Sequence, residues 1–214
     1  MTTLILCRHG ETESNAAQIY QGQEDGKLSK KGLSQAKALA KTLSKFKIDS
    51  VYSSDLKRAF DTASIIAKRL GKPVKKEPGL KERYYGEWEG LRFDEIIKKH
   101  NSMYQTWMKN PNKTKISGAE SLKALQKRGV AAINSIVNRN KGKNVLVVAH
   151  GGINRTILFG FLGIELNYFW RIKQDNCCIN VVMIDGKTDI PKVLLVNYTP
   201  LKDKEPRSFN GSIY

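Results

Sequence analysis

Four consecutive residues near the start of the chain, Arg8-His9-Gly10-Glu11, place a cation beside one of the three histidines in the sequence. They directly follow the apolar run from Leu4 to Cys7, which is typical of a buried β-strand. Ligands of open α/β sheets bind where strands end. A guanidinium and an imidazole delivered there together can bind an anion and react with it. His9 is therefore the first candidate for chemistry.

Two further basic side chains follow predicted strands. Arg58 lies one helical turn beyond the predicted strand 48–52, and His150 directly follows the uninterrupted apolar run 145–149. Because the carboxyl ends of parallel strands share one edge of a sheet, we expect both residues to meet the Arg8-His9 pair. The sequence thus predicts a pocket of two imidazoles and two guanidiniums.

This set of groups suits a phosphate ester. Gly151 and Gly152 open the next predicted helix, and helix N-termini favour anions. A neutral imidazole can attack phosphorus and form a phosphohistidine, which splits one difficult step into two. The leaving alkoxide needs a proton, and Glu82, in the predicted loop 79–92, is the best-placed acid.

Strand and helix signals alternate along the chain, which predicts an α/β fold with a mostly parallel, doubly wound sheet and helices on both faces. We expect one domain over residues 1–200, a small helical cap at about 91–119 and a loosely ordered tail at 201–214. The predicted strands are 4–7, 48–52, 74–76, 145–149, 178–185 and 192–197. The predicted helices begin at the N-caps Ser29 and Asp55 and cover 93–109, 120–140 and 151–162.

The composition excludes several classes of protein. The net charge is +17, but 27 of the 37 basic residues are lysines scattered along helix faces, with adjacent pairs and no block, which predicts a solvated surface and no nucleic-acid partner. No apolar stretch is long enough to span a bilayer, and the N-terminus lacks the pattern of a signal peptide, so we expect a cytoplasmic protein with no membrane partner. The three cysteines show no metal-binding spacing.

Ordered motifs over residues 4–160 resemble the histidine phosphatase superfamily, the phosphoglycerate-mutase-like proteins. The motifs are LCRHGET at 6–12 with Asn15, SSDLKRA at 53–59, LKE at 80–82, GAES at 118–121 and VAHGG at 148–152 with Arg155. The resemblance implies that His9 is the phosphorylated nucleophile and that Glu82 donates the proton and later activates water. It implies a phosphate pocket of Arg8, Arg58 and His150, assisted by Asn15 and the Gly151 amide. No metal and no diffusible cofactor is implied.

Several activities stay open within this resemblance. Only 37 residues separate Glu82 from Glu120, and this short cap resembles the phosphatase branch, including broad-specificity and alpha-ribazole-phosphate phosphatases. A cofactor-dependent phosphoglycerate mutase is the alternative, with the basic side chains Arg92, Lys98, Lys113 and Lys115 as candidates for a substrate carboxylate. A catalytically inactive, basic binding module is the alternative of another class.

We therefore expect a metal-independent phosphomonoesterase acting on a phosphorylated small metabolite. The sequence leaves the metabolite open among alpha-ribazole phosphate, phosphoglycerates, sugar phosphates and phosphoserine. An edge strand near 74–76 could support a homodimer.

Overall fold

The computed structural model describes residues 1–185 and 190–200; the predicted tail, 201–214, lies outside the described residues. Six strands form one sheet. The strands are β1 (Thr2–Arg8), β2 (Ser50–Ser53), β3 (Val74–Lys76), β4 (Asn144–Ala149), β5 (Ile179–Ile184) and β6 (Pro191–Tyr198). The helices are α1 (Glu13–Ala16), α2 (Lys30–Leu43), α3 (Lys57–Leu70), α4 (Phe93–Lys109), α5 (Leu122–Asn138) and α6 (Gly151–Leu162).

The sheet has the strand order β3-β2-β4-β1-β5-β6. The first four strands of this order run parallel, whereas β5 pairs antiparallel with β1 and β6 antiparallel with β5. The predicted mostly parallel α/β sheet is therefore confirmed. The sequence pattern did not predict that β5 and β6 run antiparallel to their neighbours.

The two faces of the sheet have separate apolar cores because successive side chains of a strand point to opposite faces. Leu4 and Leu6 of β1 pack with α5 and α6, whereas Ile5 and Cys7 pack with α2 and α3. The strand β4 alternates in the same way, and its residues 145–149 are fully buried. Helices on both faces explain why this run is apolar throughout.

The predicted N-cap at Asp55 is wrong. The helix α3 begins one residue later, with Leu56 at the N-cap position and no side-chain cap hydrogen bond. The Asp55 carboxylate instead forms an ion pair with Lys81, 3.4 Å from its Nζ. The N-cap predicted at Ser29 is confirmed, since its hydroxyl accepts a hydrogen bond from the Gly32 N–H at 3.0 Å.

The segment 91–119 contains α4 and a turn-rich stretch that leads to α5. The backbone of α4 leaves helical geometry at His100, where φ is −135° and ψ is 36°. Trp107, in its second half, is fully buried and donates a hydrogen bond from Nε1 to the Tyr20 hydroxyl at 3.2 Å. This buried side chain ties α4 to the loop that follows α1.

Within the described residues, no helix is both long enough and apolar enough to cross a membrane.

A close backbone approach joins the loop after β1 to the start of α2. A Cβ on Gly32 would lie 1.9 Å from the Glu11 carbonyl oxygen, and a Cβ on Gly10 would lie 2.7 Å from the Gly32 carbonyl oxygen. Both obstacles are backbone atoms, so only glycine allows α2 to pack against the loop that carries His9.

We expect Gly32→Ala to lower the free energy of unfolding by about 2 kcal/mol, because the added methyl forces this backbone contact apart. Urea unfolding measures the change. Ser34→Ala, at an exposed position of the same helix, is the control and should leave the stability within about 0.5 kcal/mol. A Gly32→Ala protein as stable as the control would contradict the packing argument.

Candidate active site

The parallel register of β1 and β4 brings the two predicted histidines together. Arg8 pairs with Ala149 across the two strands, so His9 and His150 leave the sheet side by side. Their ring centroids lie 5.1 Å apart at an interplanar angle of 60°. Both rings are buried. The predicted convergence at the carboxyl edge of the sheet is present in the structure.

The ring of His9 is oriented by its own neighbour. Its Nδ1 lies 2.7 Å from the Gly10 carbonyl oxygen, which can only accept, so Nδ1 donates and Nε2 carries the free lone pair. Burial lowers the pKa of His9 well below its ordinary value, and the nearby charges of Arg58 and Arg8 lower it further. A neutral imidazole with Nε2 unprotonated is the form that can attack phosphorus.

Two arginines flank this imidazole. Arg58, in the first turn of α3, is 1% exposed and donates from Nη1 and Nη2 to the carbonyl oxygens of Glu24 and Gly22, at 2.7 and 2.5 Å. Arg8 donates from Nη1 to the carbonyl oxygen of Gln174 at 2.6 Å. Burial lowers the pKa of Arg58 to about 10, so its guanidinium still carries a full charge at neutral pH.

His150 is the N-cap residue of α6 and is fully buried. Neither of its ring nitrogens has a hydrogen-bond partner within the described part of the chain. Burial lowers the pKa of His150, and the charges of Arg58, His9 and Arg8 add to this effect. An unpaired buried polar group of this kind is costly unless a ligand uses it.

Glu82 lies against the first turn of α6. Its carboxylate accepts hydrogen bonds from three backbone N–H groups, those of Gly152 at 2.9 Å, Ile153 at 3.0 Å and Arg83 at 2.8 Å. A Cβ on Gly152 would lie 2.5 Å from the Glu82 Oε1, so a larger residue there would displace the carboxylate. The acid is thus held next to the helix whose N-terminus faces the cleft.

The loop that carries Glu82 is anchored by Arg128 of α5. Its guanidinium donates to the backbone carbonyl oxygens of Gly79, Lys81 and Glu82 at 2.7–3.0 Å. The same guanidinium forms a two-pronged ion pair with Glu120, with N–O distances of 2.7 and 2.9 Å. Arg128 is a positioning residue that the sequence analysis missed, although Glu120 belongs to one of the quoted motifs.

Asn15 and Asn176 complete the region around His9. The Asn15 Oδ1 accepts from the Thr12 N–H and from the Asn176 amide, both at 3.2 Å, which leaves the Asn15 amide group as a donor. The Asn176 amide also donates to the His9 carbonyl oxygen at 3.2 Å. Asn176 precedes β5 and was not predicted, because its position depends on the antiparallel pairing of that strand.

All predicted site residues except the buried His150 line a single cleft of about 330 Å³. Arg155 lines this cleft too, although the sequence analysis gave it no role. Four residues after Gly151, it lies one helical turn further along the same face of α6, and this spacing could have identified it. The aromatic residues of the cleft wall are Tyr20, Tyr85, Phe93 and Trp170.

The buried histidines predict a loss of stability in acid. Because the folded-state pKa values of His9 and His150 are lowered, both rings stay neutral while the unfolded chain takes up protons below about pH 6.5. Their contribution to stability is therefore complete above that pH and falls as the pH falls. Between pH 7.5 and 5.5 we expect the two histidines together to lower the free energy of unfolding by about 3 kcal/mol.

Urea unfolding at both pH values measures this effect. The double variant His9→Gln/His150→Gln should lose about 3 kcal/mol less than the wild type over the same interval. The control Ser34→Ala, at an exposed position of α2, should respond to pH as the wild type does. An unchanged pH response in the double variant would contradict the assignment of two neutral rings.

Comparisons with known proteins agree with this geometry. The sequence profile of the histidine phosphatase superfamily (branch 1) matches residues 4–199. The chain is 34% identical over 199 residues to phosphoserine phosphatase 1 of Hydrogenobacter thermophilus, covering 93% of each chain. It is 27% identical over 191 residues to the adenosylcobalamin/alpha-ribazole phosphatase of Escherichia coli, covering 89% of this chain and 94% of that protein.

The fold is also similar to a solved structure, the phosphoserine phosphatase of Entamoeba histolytica in complex with 3-phosphoglyceric acid. The TM-score is 0.83 at 31% sequence identity, over 93% of this chain and 98% of that one. Sequence profile, relatives and structure lead to one conclusion: this chain belongs to branch 1 of the histidine phosphatase superfamily.

Proposed function

We propose that the cleft hydrolyses small phosphomonoesters in two steps, with His9 as the nucleophile and Glu82 as the proton donor. One observation carries the proposal: the buried His9 ring, whose Nδ1 lies 2.7 Å from the Gly10 carbonyl oxygen, shares one cleft with Arg8 and Arg58 and packs against the His150 ring. Membership in a superfamily of phosphatases supports the same chemistry. The substrate is a phosphorylated small metabolite, as it is for the named relatives.

In the first step the His9 Nε2 attacks phosphorus, and the bond from phosphorus to the ester oxygen breaks. The departing oxygen takes the proton of the Glu82 carboxyl group and leaves as an alcohol. In the second step the Glu82 carboxylate accepts a proton from water while the water oxygen bonds to phosphorus. The bond from phosphorus to Nε2 then breaks, which releases phosphate and restores the neutral ring.

The remaining groups act on the charge of the phosphoryl oxygens. Arg8 and Arg58 supply fixed positive charge to the phosphoryl oxygens. Hydrogen bonds to the transferring group are most effective where water is excluded from the site. The Asn15 amide, the His150 ring and the Gly151 N–H are the further donors. A Cβ on Gly151 would lie 3.3 Å from the Arg8 Nε, so this guanidinium lies beside the start of α6.

We expect Glu82→Gln to slow hydrolysis of alkyl phosphates by about 10²- to 10⁴-fold in kcat/KM, because the poor leaving oxygen then lacks its proton. For p-nitrophenyl phosphate the loss in kcat/KM should be at least about tenfold smaller, because its leaving group needs little protonation and proton donation then contributes little. Steady-state kinetics with both substrates measure the difference.

Two controls accompany this experiment. Glu87→Gln, at an exposed position of the same loop, should leave both rates unchanged, and His9→Ala should abolish both. Rapid quenching followed by mass spectrometry at alkaline pH should find the phosphoryl group on His9 in the wild type. Equal slowing of both substrates by Glu82→Gln would rule out proton donation, and an active His9→Ala variant would rule out the nucleophile.

Phosphoglycerate mutase activity has less support. Its candidate carboxylate-binding side chains, Arg92, Lys98, Lys113 and Lys115, do not line the cleft; Lys113 and Lys115 line a separate cavity beside Arg83. The inactive binding module has less support still, because it requires a disrupted pocket, and His9, Arg58, Glu82 and His150 lie together.

Incubation with 3-phosphoglycerate and a trace of the bisphosphate separates mutase from phosphatase. We expect release of inorganic phosphate without accumulation of 2-phosphoglycerate, because the cleft is open to water. Both products can be assayed in the same samples. Rapid isomerisation with little phosphate release would overturn the phosphatase proposal in favour of the mutase.

A further inference from the structure

Arg155 is a cleft residue with no part in the proposed phosphoryl transfer. Its side chain lies against two aromatic rings, with the guanidinium carbon 5.1 Å from the ring centroids of both Phe169 and Trp170. Its Nε donates a hydrogen bond to the Ile172 carbonyl oxygen at 2.7 Å. Stacking and this single hydrogen bond fix the plane of the guanidinium and leave its outer edge available.

The outer edge of this guanidinium has no partner in the described part of the chain. Within residues 1–185 and 190–200, neither Nη1 nor Nη2 of Arg155 donates to a protein acceptor, and no carboxylate lies within ion-pair distance. Burial lowers the pKa of Arg155, and the charge of Arg8 lowers it further. A guanidinium held in this way matches a carboxylate, which can accept two parallel hydrogen bonds.

The position of Arg155 along α6 indicates which part of the substrate it faces. Glu82, the proposed proton donor, is bonded to the N–H groups of Gly152 and Ile153 in the first turn of this helix. Arg155 projects from the next turn into the same cleft, which Tyr85 and Trp170 also line. It therefore lies on the side where the leaving group departs, whereas Arg8 and Arg58 flank the nucleophile.

We propose that Arg155 binds a carboxylate on the leaving group, so that the enzyme prefers phosphomonoesters of small hydroxy acids. This inference rests on the proposed function, because it assigns the leaving group of the same reaction. The cleft of about 330 Å³ suits a leaving group of a few heavy atoms. A neutral leaving group would leave the partly buried charge of Arg155 without a partner.

Two substrates that differ only by a carboxylate test the proposal. O-phosphoserine and O-phosphoethanolamine share the ester and the amino group, so their ratio of kcat/KM isolates the carboxylate. We expect the wild type to prefer O-phosphoserine by roughly 10- to 100-fold, the range of a hydrogen-bonded charge pair. The difference should lie mainly in KM.

Arg155→Met keeps the length and the apolar stacking but removes the charge. It should abolish the preference by lowering kcat/KM for O-phosphoserine roughly 10- to 100-fold, with less than about threefold change for O-phosphoethanolamine. Arg155→Lys should recover only part of the preference, because an ammonium cannot form the two-pronged contact. Arg171→Met, an exposed arginine that stacks on Tyr168 outside the cleft, is the matched control and should keep the wild-type ratio.

The outcomes separate the two proposals. If the wild type hydrolyses p-nitrophenyl phosphate but shows no preference for O-phosphoserine, the carboxylate assignment is wrong and the phosphatase mechanism stands. Equal loss on both substrates in Arg155→Met would also overturn it, since a structural role predicts that result. If Arg155→Met does not fold, the wild-type ratio and Arg155→Lys decide. Failure of the wild type on all three esters would overturn both proposals.

Discussion

The parallel pairing of β1 with β4 is the constraint on which the rest of the site depends. It sets Arg8 opposite Ala149 and thereby places the next residue of each strand, His9 and His150, at one edge of the sheet. A slip of one residue would turn one ring to the opposite face of the sheet. The register is fixed by burial on both faces, since Leu4 and Leu6 serve one core and Ile5 and Cys7 the other.

The two arginines of the site, Arg8 and Arg58, have a different kind of hydrogen-bond partner from Arg128. Arg8 and Arg58 are held by backbone carbonyl oxygens, which fix their geometry without neutralising their charge. Arg128, which anchors the Glu82 loop, is paired with the carboxylate of Glu120. Burial lowers the pKa of the neighbouring histidines, His9 and His150, and the charges of Arg58 and Arg8 lower it further.

Features that follow from local sequence were predicted well, whereas features that depend on distant partners were not. The apolar run 145–149 predicted a central strand, and β4 indeed lies between β2 and β1. The cap predicted at Asp55 was wrong: α3 begins one residue later, and the Asp55 carboxylate forms an ion pair with Lys81, which is remote in sequence.

The same distinction between local sequence and distant partners applies to the residues of the site. The predicted strand ends indicated that four side chains would meet, those of Arg8, His9, Arg58 and His150, because the carboxyl ends of parallel strands share one edge of the sheet. Asn176 escaped prediction because its place beside His9 depends on the antiparallel pairing of β5 with β1. Arg155 was not predicted as a binding residue, because the unpaired edge of its guanidinium is evident only in the structure. There Phe169, Trp170 and Ile172 contact the rest of this group.

The central place of β1 in the sheet has a consequence for biosynthesis. Strand β1 leaves the ribosome long before either of its neighbours in the sheet, β4 and β5. Until Asn144 and the residues after it emerge, β1 presents two unpaired edges, a template for non-native association.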